Sequence, residues 1–252
     1  MDLGLRDKVA LVTGAATGLG RAIAESLAAE GAKVAVNYRT RPEAARAVVE
    51  AIATAGGAAV AVPADLTRDD EVGAMFDAVE RAFGPAEVLV NNAAFCPTAP
   101  TAELPSDVFT HTLDVNMGGT FRCCREFIGR LQALGRAGRI VNISSQAALR
   151  GSRSGKSAYD ASKAGVIGLT VSLSRELAAA GFQVNCVVPG LMLTEMIAGA
   201  VAKDPEAFNS RVPMGRLGQT REIADVVVFL ASDRASYMTG TAVDVSGGLG
   251  AH

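Results

Sequence analysis

Cysteine and histidine are scarce in this chain, with four of the first and two of the second in 252 residues. Cys96, Cys123, Cys124 and Cys186 form no C-x-x-C pair, and His111 stands far from His252, so the ligand spacings of a zinc site are missing and no metal is expected. The cysteines read as small buried hydrophobes in a reducing setting. A surplus of one charge is also lacking. Against 26 acidic residues there are 24 basic ones, a net −2, which leaves no basic field for a nucleic acid. No apolar run approaches the roughly 20 residues of a membrane span. The charged start of the chain runs straight into a strand-like segment, without the pattern of a signal peptide. Together these absences predict a soluble, cytoplasmic protein that meets neither nucleic acid nor membrane.

What is present can build a large core: 49% of the residues are hydrophobic and 20% charged. Strand-length apolar runs at 9–12, 33–38, 59–62, 88–90, 139–143, 182–188 and 242–245 alternate with helical patterns at 21–30, 43–54 and 69–83. Continuous Val, Ile and Ala runs are the mark of strands buried on both faces. The alternation predicts an α/β fold, a doubly wound parallel sheet with helices on both faces. No linker, repeat or low-complexity tract divides residues 1–252, so one domain is expected. Helical patterns at 106–134 and 157–179 are longer than the rest. The irregular segment 192–213, with Met192, Met196, Phe208 and Met214, reads either as a substrate lid or as an ordinary surface helix and loop.

The stretch TGAATGLG, residues 13–20, closes the first strand and opens the first helix. Its glycines, Gly14, Gly18 and Gly20, permit a tight turn and close approach to a pyrophosphate, with Thr17 and Leu19 in the same turn. The helix start offers free N–H groups to that anion. The second strand ends in Tyr38, Arg39, Thr40 and Arg41, without the carboxylate that would accept from adenosine ribose hydroxyls and repel a 2′-phosphate. Arg39 is placed to make charge-assisted bonds to such a phosphate, and Thr40 can add a hydroxyl. NADP(H) is therefore favoured over NAD(H), although Thr17 supplies no second basic contact. Asp65, ending the third strand, suits either an adenine amino group or the start of the next helix.

SAYDASK, residues 157–163, sets a phenol and an ammonium four residues apart. On a helix the two share a face, and the ammonium favours phenolate.

Taken together, TGAATGLG, Asp65-Leu66, Asn91-Asn92-Ala93-Ala94, Asn116, Ser144-Ser145, Tyr159-x-x-x-Lys163, Pro189-Gly190 and Thr194 resemble the short-chain dehydrogenase/reductase family over about residues 8–248. The resemblance implies a seven-stranded Rossmann-like sheet with the active site at the strand carboxyl ends. It also implies a homotetramer, with the helices near 106–134 and 157–179 between subunits. Tyr159 would be the general acid for carbonyl reduction and the general base for the reverse reaction. Lys163 would tune it and bond the nicotinamide ribose. Ser145, with Ser144 as the fallback, would polarise the substrate oxygen. Asn116 would hold a helix kink open and place a relay water. Leu66, Asn92, Ala93, Pro189, Gly190, Met192 and Thr194 would line the cofactor, and Phe95, Cys96, Leu149, Leu191 and Met196 an apolar substrate rim.

Three departures stand out. Ala94 replaces the usual glycine, and Met192 replaces a common β-branched residue. Thirteen residues separate Ser145 from Tyr159, one more than in many members, within the loop RGSRSGKSA. The chain is most similar to 3-oxoacyl-[acyl-carrier-protein] reductases and related sugar and secondary-alcohol dehydrogenases. Arg136 matches one carrier-docking position of the former, while Ala180 stands at the second. Enoyl reductases space tyrosine further from lysine. The expected activity is NADP(H)-dependent reduction of a ketone, such as a 3-oxoacyl thioester, to a secondary alcohol. A sugar or secondary-alcohol dehydrogenase is the alternative within the enzyme class, and a non-catalytic NADP(H) sensor the alternative outside it.

Overall fold

The computed structural model of the chain describes residues 2–153, 155–193 and 195–250, without the side chains of residues 195–197 and 200. Seven strands form one sheet: β1 (Val9–Val12), β2 (Lys33–Tyr38), β3 (Ala58–Pro63), β4 (Val88–Asn91), β5 (Arg139–Ile143), β6 (Gln183–Pro189) and β7 (Ala242–Val245). All pair in parallel, in the order β3-β2-β1-β4-β5-β6-β7. The helices between them are α1 (Gly18–Ala29), α2 (Pro42–Thr54), α3 (Asp69–Phe83), α4 (Ser106–Leu113), α5 (Gly119–Ala133), α6 (Ala147–Arg150), α7 (Ser157–Leu177), α8 (Glu195–Lys203), α9 (Pro205–Asn209) and α10 (Thr220–Ala231). This is the doubly wound α/β sheet that the alternating pattern predicts, with strand boundaries moved by one residue or so.

Successive strand residues face opposite sides, which explains the unbroken apolar runs. Ala10 and Val12 join a core with Val34, Val36, Val90, Val141 and Val187 against Ile23 and Leu27 of α1 and Val227 of α10. Val9 and Leu11 face the other way, with Leu89, Ile140 and Val184, against Phe76 of α3, Phe127 of α5 and Leu177 of α7. None of the described helices is long and apolar enough to cross a membrane.

The pattern at 106–134 does not form one helix. Between α4 and α5 lies a wide π turn, Asp114–Gly118, with Asn116 buried inside it. An extra residue in the turn loosens the backbone ladder locally, a feature common at functional sites. The amphipathic segment 192–213 contains α8 and α9.

Phe127 is 1% exposed and meets Phe182 edge to face at 6.4 Å. Phe127→Ala is expected to lower stability by about 3–5 kcal/mol, read as a shift of the urea midpoint at constant slope.

Candidate active site

Strand order reverses between β1 and β4, and the loops beyond their carboxyl ends part to leave a crevice, as such sheets do at this point. A cleft of about 580 Å³ opens there. Its floor is the glycine turn, with Gly14, Thr17, Gly18, Leu19 and Gly20; its flanks are Arg39, Asp65 and Leu66 on one side and Asn92 and Ala93 on the other. Ala64, Ala94, Phe95 and Val115 complete the walls.

The two sides of the turn are latched through Thr13. Its hydroxyl accepts from the N–H groups of Asn92 and Ala93 at 2.9 and 3.1 Å, and the Asn92 amide donates back to the carbonyls of Thr13 and Gly14 at 3.0 and 3.1 Å. A methyl on Gly20 would lie 2.4 Å from the Gly14 carbonyl oxygen, so the helix can start this close to the strand only with glycine. Gly18, with φ 57°, faces open space instead. No acid occupies the first turn of α1. A cradle of free N–H groups beside open space suits a diphosphate.

At the far end of the cleft Arg39 lies 3.6 Å from Asp65, a loose pair with a half-exposed guanidinium. Asp65 Oδ1 accepts from both the N–H and the hydroxyl of Thr67, at 2.9 and 2.7 Å. Burial pulls the Asp65 carboxyl upward, but these bonds and Arg39 leave it below the ordinary value. Of the two readings of Asp65, the local turn before α3 takes Oδ1, and Oδ2 faces the arginine.

On the other flank, α7 is stitched to β5. Lys163 is 2% exposed, and its Nζ donates to the Ile143 carbonyl at 2.7 Å. The Ser144 hydroxyl donates to the Lys163 carbonyl at 2.7 Å, and the Asn142 amide to Thr170 Oγ1 at 2.9 Å. This seam carries Tyr159 over Ser145, whose Oγ also accepts from Ala147 N at 3.1 Å. Ser144 is thus spent on the helix, and Ser145 is the hydroxyl beside the phenol. The Asn116 side chain closes the back of the site. Its Oδ1 accepts from Phe95 N at 2.7 Å, while its Nδ2 donates to the Phe95 carbonyl at 2.9 Å and to Ser162 Oγ at 2.8 Å.

Burial pushes the Tyr159 phenol up to about 12; Cys96 adds to the rise, and a hydrogen bond with Ser145 offsets only part of it. Burial also brings the Lys163 ammonium down from 10.5 to about 8. The expected lowering of the phenol by Lys163 is therefore reversed in the chain by itself. The Lys163 nitrogen lies 5.8 Å from the Tyr159 ring centre and directs a proton at Ile143. Desolvation outweighs that distant charge.

A family model described as Enoyl-(Acyl carrier protein) reductase, one of those for short-chain dehydrogenases, matches residues 14–250. An "Uncharacterized oxidoreductase YgfF" of Escherichia coli (strain K12) is 44% identical over 244 residues, 95% of this chain and 99% of that one. A "3-oxoacyl-[acyl-carrier-protein] reductase FabG" of Staphylococcus aureus (strain Mu50 / ATCC 700699) is 41% identical over 242 residues, 96% and 98% of the two chains. The chain belongs to the short-chain dehydrogenase/reductase family. The solved structure of a dehydrogenase/reductase from Sinorhizobium meliloti 1021 superposes with a TM-score of 0.92 at 35% identity, over 99% of this chain and 98% of that one.

As a short-chain dehydrogenase/reductase it is a nicotinamide-dependent oxidoreductase, and the glycine turn, the Thr13–Asn92 latch and the open space at Gly18 fit a dinucleotide. Not every residue expected at the cofactor lies in the cleft. Tyr38 is half-buried against the core and outside the cleft lining, and Thr40 is exposed outside it too. Met192 packs against the same core and bridges its backbone to Gly218. Pro189 accepts from Gln146 N at 2.9 Å, and Gly190 passes so close to Ser246 that a methyl would meet its Cα at 2.7 Å. Leu191 lines a separate cavity of about 110 Å³ beneath α10. Thr194 and the Met196 side chain lie outside the described residues. Arg136, expected at a carrier-docking position, gives its guanidinium to Glu87 near the amino-terminal start of β5.

Asn37, Ala64 and Val115 line the cleft without a role read from the sequence, and Arg41, noted there only as a second guanidinium, lines it too. Asn37 accepts from Gly14 N at 3.1 Å. An asparagine inside the apolar run KVAVNY was the available signal for that residue.

The depressed ammonium has a consequence for stability. Because Lys163 titrates near 8 when folded and near 10.5 when unfolded, the unfolded chain binds more protons in that interval. Its burial therefore costs about 3 kcal/mol below pH 8, and that cost disappears as pH rises to about 10.5. Relative to Lys163→Met, the native chain should gain about 3 kcal/mol between pH 7 and pH 11 in chemical denaturation. A difference that stays constant with pH would contradict the buried ammonium. The Ile143 carbonyl left unpaired in the variant shifts the whole curve without changing this slope.

Proposed function

We propose that the enzyme reduces a ketone to a secondary alcohol with NADP(H). The observation that carries this reading is the half-buried Tyr159 phenol, kept protonated beside Ser145 on the helix that Lys163 pins to β5, with the dinucleotide-shaped cleft in the loops after β1, β2 and β4. The reduced nicotinamide, when bound, supplies the hydride. Ser145, its Oγ fixed by Ala147 N, turns its proton to the substrate oxygen and polarises the carbonyl. Tyr159 gives that oxygen its proton, and a phenol near 12 is fully protonated at neutral pH. Lys163 keeps two N–H groups beyond the one held by Ile143. One suits the nicotinamide ribose, and the other a water placed by the π turn at Asn116 that returns a proton to Tyr159. Arg39 and Arg41 together supply the paired cations that a 2′-phosphate requires, and Arg39 leaves its loose contact with Asp65 at small cost.

The description of the matching family model names enoyl reduction. The four-residue spacing of Tyr159 and Lys163, with Ser145 at the phenol, instead favours polarising a carbonyl oxygen. FabG relatives are named for 3-oxoacyl groups on a carrier protein. The proposed substrate keeps the 3-oxo group and not the carrier, because Arg136 is engaged with Glu87 and Ala180 bears no charge. We further infer one domain with the segment 192–213 as its lid. A homotetramer is inferred from membership of the family, and the exposed Phe109, Met117 and Phe121 near the π turn and Val171 on α7 are apolar surface it would cover. The free thiols favour the cytoplasm.

Tyr159→Phe should lower kcat by about 10²-fold or more while NADPH binding persists, measured by oxidation of NADPH with a 3-oxo ester and by fluorescence titration. Retained turnover overturns the mechanism; tight binding without turnover of any ketone by the native chain would make it a sensor. Arg39→Asp should move the NADP/NAD ratio of kcat/KM towards NAD by about 10- to 100-fold. An unchanged ratio refutes the cofactor assignment.

A further inference from the structure

The connection from β5 to α7 carries Arg150, Arg153 and Lys156 within seven residues. Among the described residues none of the three has a carboxylate within 4.0 Å. Arg150 donates to the Leu249 carbonyl, and Arg153 is exposed. For Lys156 the lack of a partner is conspicuous, because Asp160 stands four residues on, the ordinary helical partner. Both oxygens of Asp160 are occupied by Ser152, whose N–H donates at 2.6 Å and whose hydroxyl donates at 2.8 Å.

Lys156 does nothing for its own helix. It holds the N-cap of α7, where Ser, Thr, Asp or Asn are preferred, and its side chain caps no N–H group. A cation at the positive end of a helix is disfavoured. Its placement is nonetheless built. Gly155, at φ 67°, accepts from Ala99 N at 2.9 Å, and a methyl there would meet the Ala99 carbonyl oxygen at 2.4 Å. This clasp joins the loop before α7 to the loop beyond β4, across the substrate side of the site. Lys156 is the N-cap and Tyr159 the N3 residue of α7, positions whose side chains are neighbours at a helix start. The Cys96 thiol, on the loop beyond β4, feels the charges of both Lys156 and Lys163.

We propose that the substrate is an oxo acid whose carboxylate is gripped by Lys156 at the mouth of the site while Tyr159 protonates its ketone oxygen. The proposal rests on the ketone-reductase reading above and narrows its substrate class. The N-cap and N3 side chains are neighbours at a helix start, so a carboxylate held by Lys156 would lie a few bonds from the carbonyl that Tyr159 protonates. In the reduction, hydride from the nicotinamide forms the new C–H bond and the Tyr159 proton the new O–H bond. The carbonyl π bond breaks, the nicotinamide is oxidised, and the product is a hydroxy acid.

Acetoacetate and ethyl acetoacetate form a matched acid and ester pair. The native enzyme should favour the acid in kcat/KM, and Lys156→Gln should lower the acid-to-ester ratio about 10-fold or more. Lys156→Arg should keep most of the preference. An acid-to-ester ratio equal in Lys156→Gln and the native enzyme, with NADPH oxidation intact, overturns the oxo-acid assignment and leaves ketone reduction standing. Binding is read separately in Tyr159→Phe loaded with NADP+, by saturation-transfer NMR of acetoacetate. Loss of that signal on adding Lys156→Gln supports the carboxylate grip even where turnover is absent. An equal signal in the two variants overturns it.

Discussion

The buried ammonium of Lys163 is the constraint around which the site is arranged. An amine nearly withdrawn from water needs an acceptor of fixed position, and the Ile143 carbonyl at the end of β5 supplies it. That single bond sets the height of α7 on the sheet. Ser144 and Asn142 repeat the anchoring on either side of it, from strand end to Thr170. Because the helix is pinned there, Tyr159 falls one turn away over Ser145, half-buried in surroundings that raise its phenol. Burial acts oppositely on the two groups, keeping the phenol protonated and making the ammonium readier to part with its proton. For the ketone reduction proposed above, in which the site donates to a carbonyl oxygen and is then recharged, those directions are useful ones.

The remaining architecture divides the labour across the sheet. Loops after β1, β2 and β4 build the nucleotide side, latched by Thr13, Asn37 and Asn92, each of which ties one loop to the next. The connection from β5 to α7 forms the side on which the substrate is proposed to sit, with the Gly155–Ala99 clasp joining it to the loop from β4. Asn116 belongs to both halves. Its amide holds Phe95, on the cleft wall, and Ser162, on the helix that carries Tyr159 and Lys163. The π turn exists where this one side chain must reach two elements at once.

Much of this was legible in the chain. Burial on both faces writes strands as unbroken Val and Ile runs, so the sheet could be read from them. The glycine turn was equally plain, because backbone closeness at Gly20 admits no other residue. Other features had no local mark. The break between α4 and α5 falls inside a pattern that reads as one amphipathic helix. Tyr38 sits at the position expected of a cofactor contact, and its half-buried ring packs against the core on the sheet face it shares with Val34 and Val36. Arg136 was readable as an exposed docking cation until the fold brought Glu87 beside it, forty-nine positions away.

What the sequence determined by itself is whatever depends on neighbours along the chain: the alternation of strand and helix, the tight turn of residues 13–20, and the shared face of Tyr159 and Lys163. Tertiary structure alone decided which charges are paired and which groups are dry. Arg136 lost its freedom and Lys156 kept its own. Tyr159 rose where its neighbouring lysine predicted a fall. The physical reason is that desolvation and ion pairing are set by whatever arrives from elsewhere in the chain, and spacing along a helix carries no record of it.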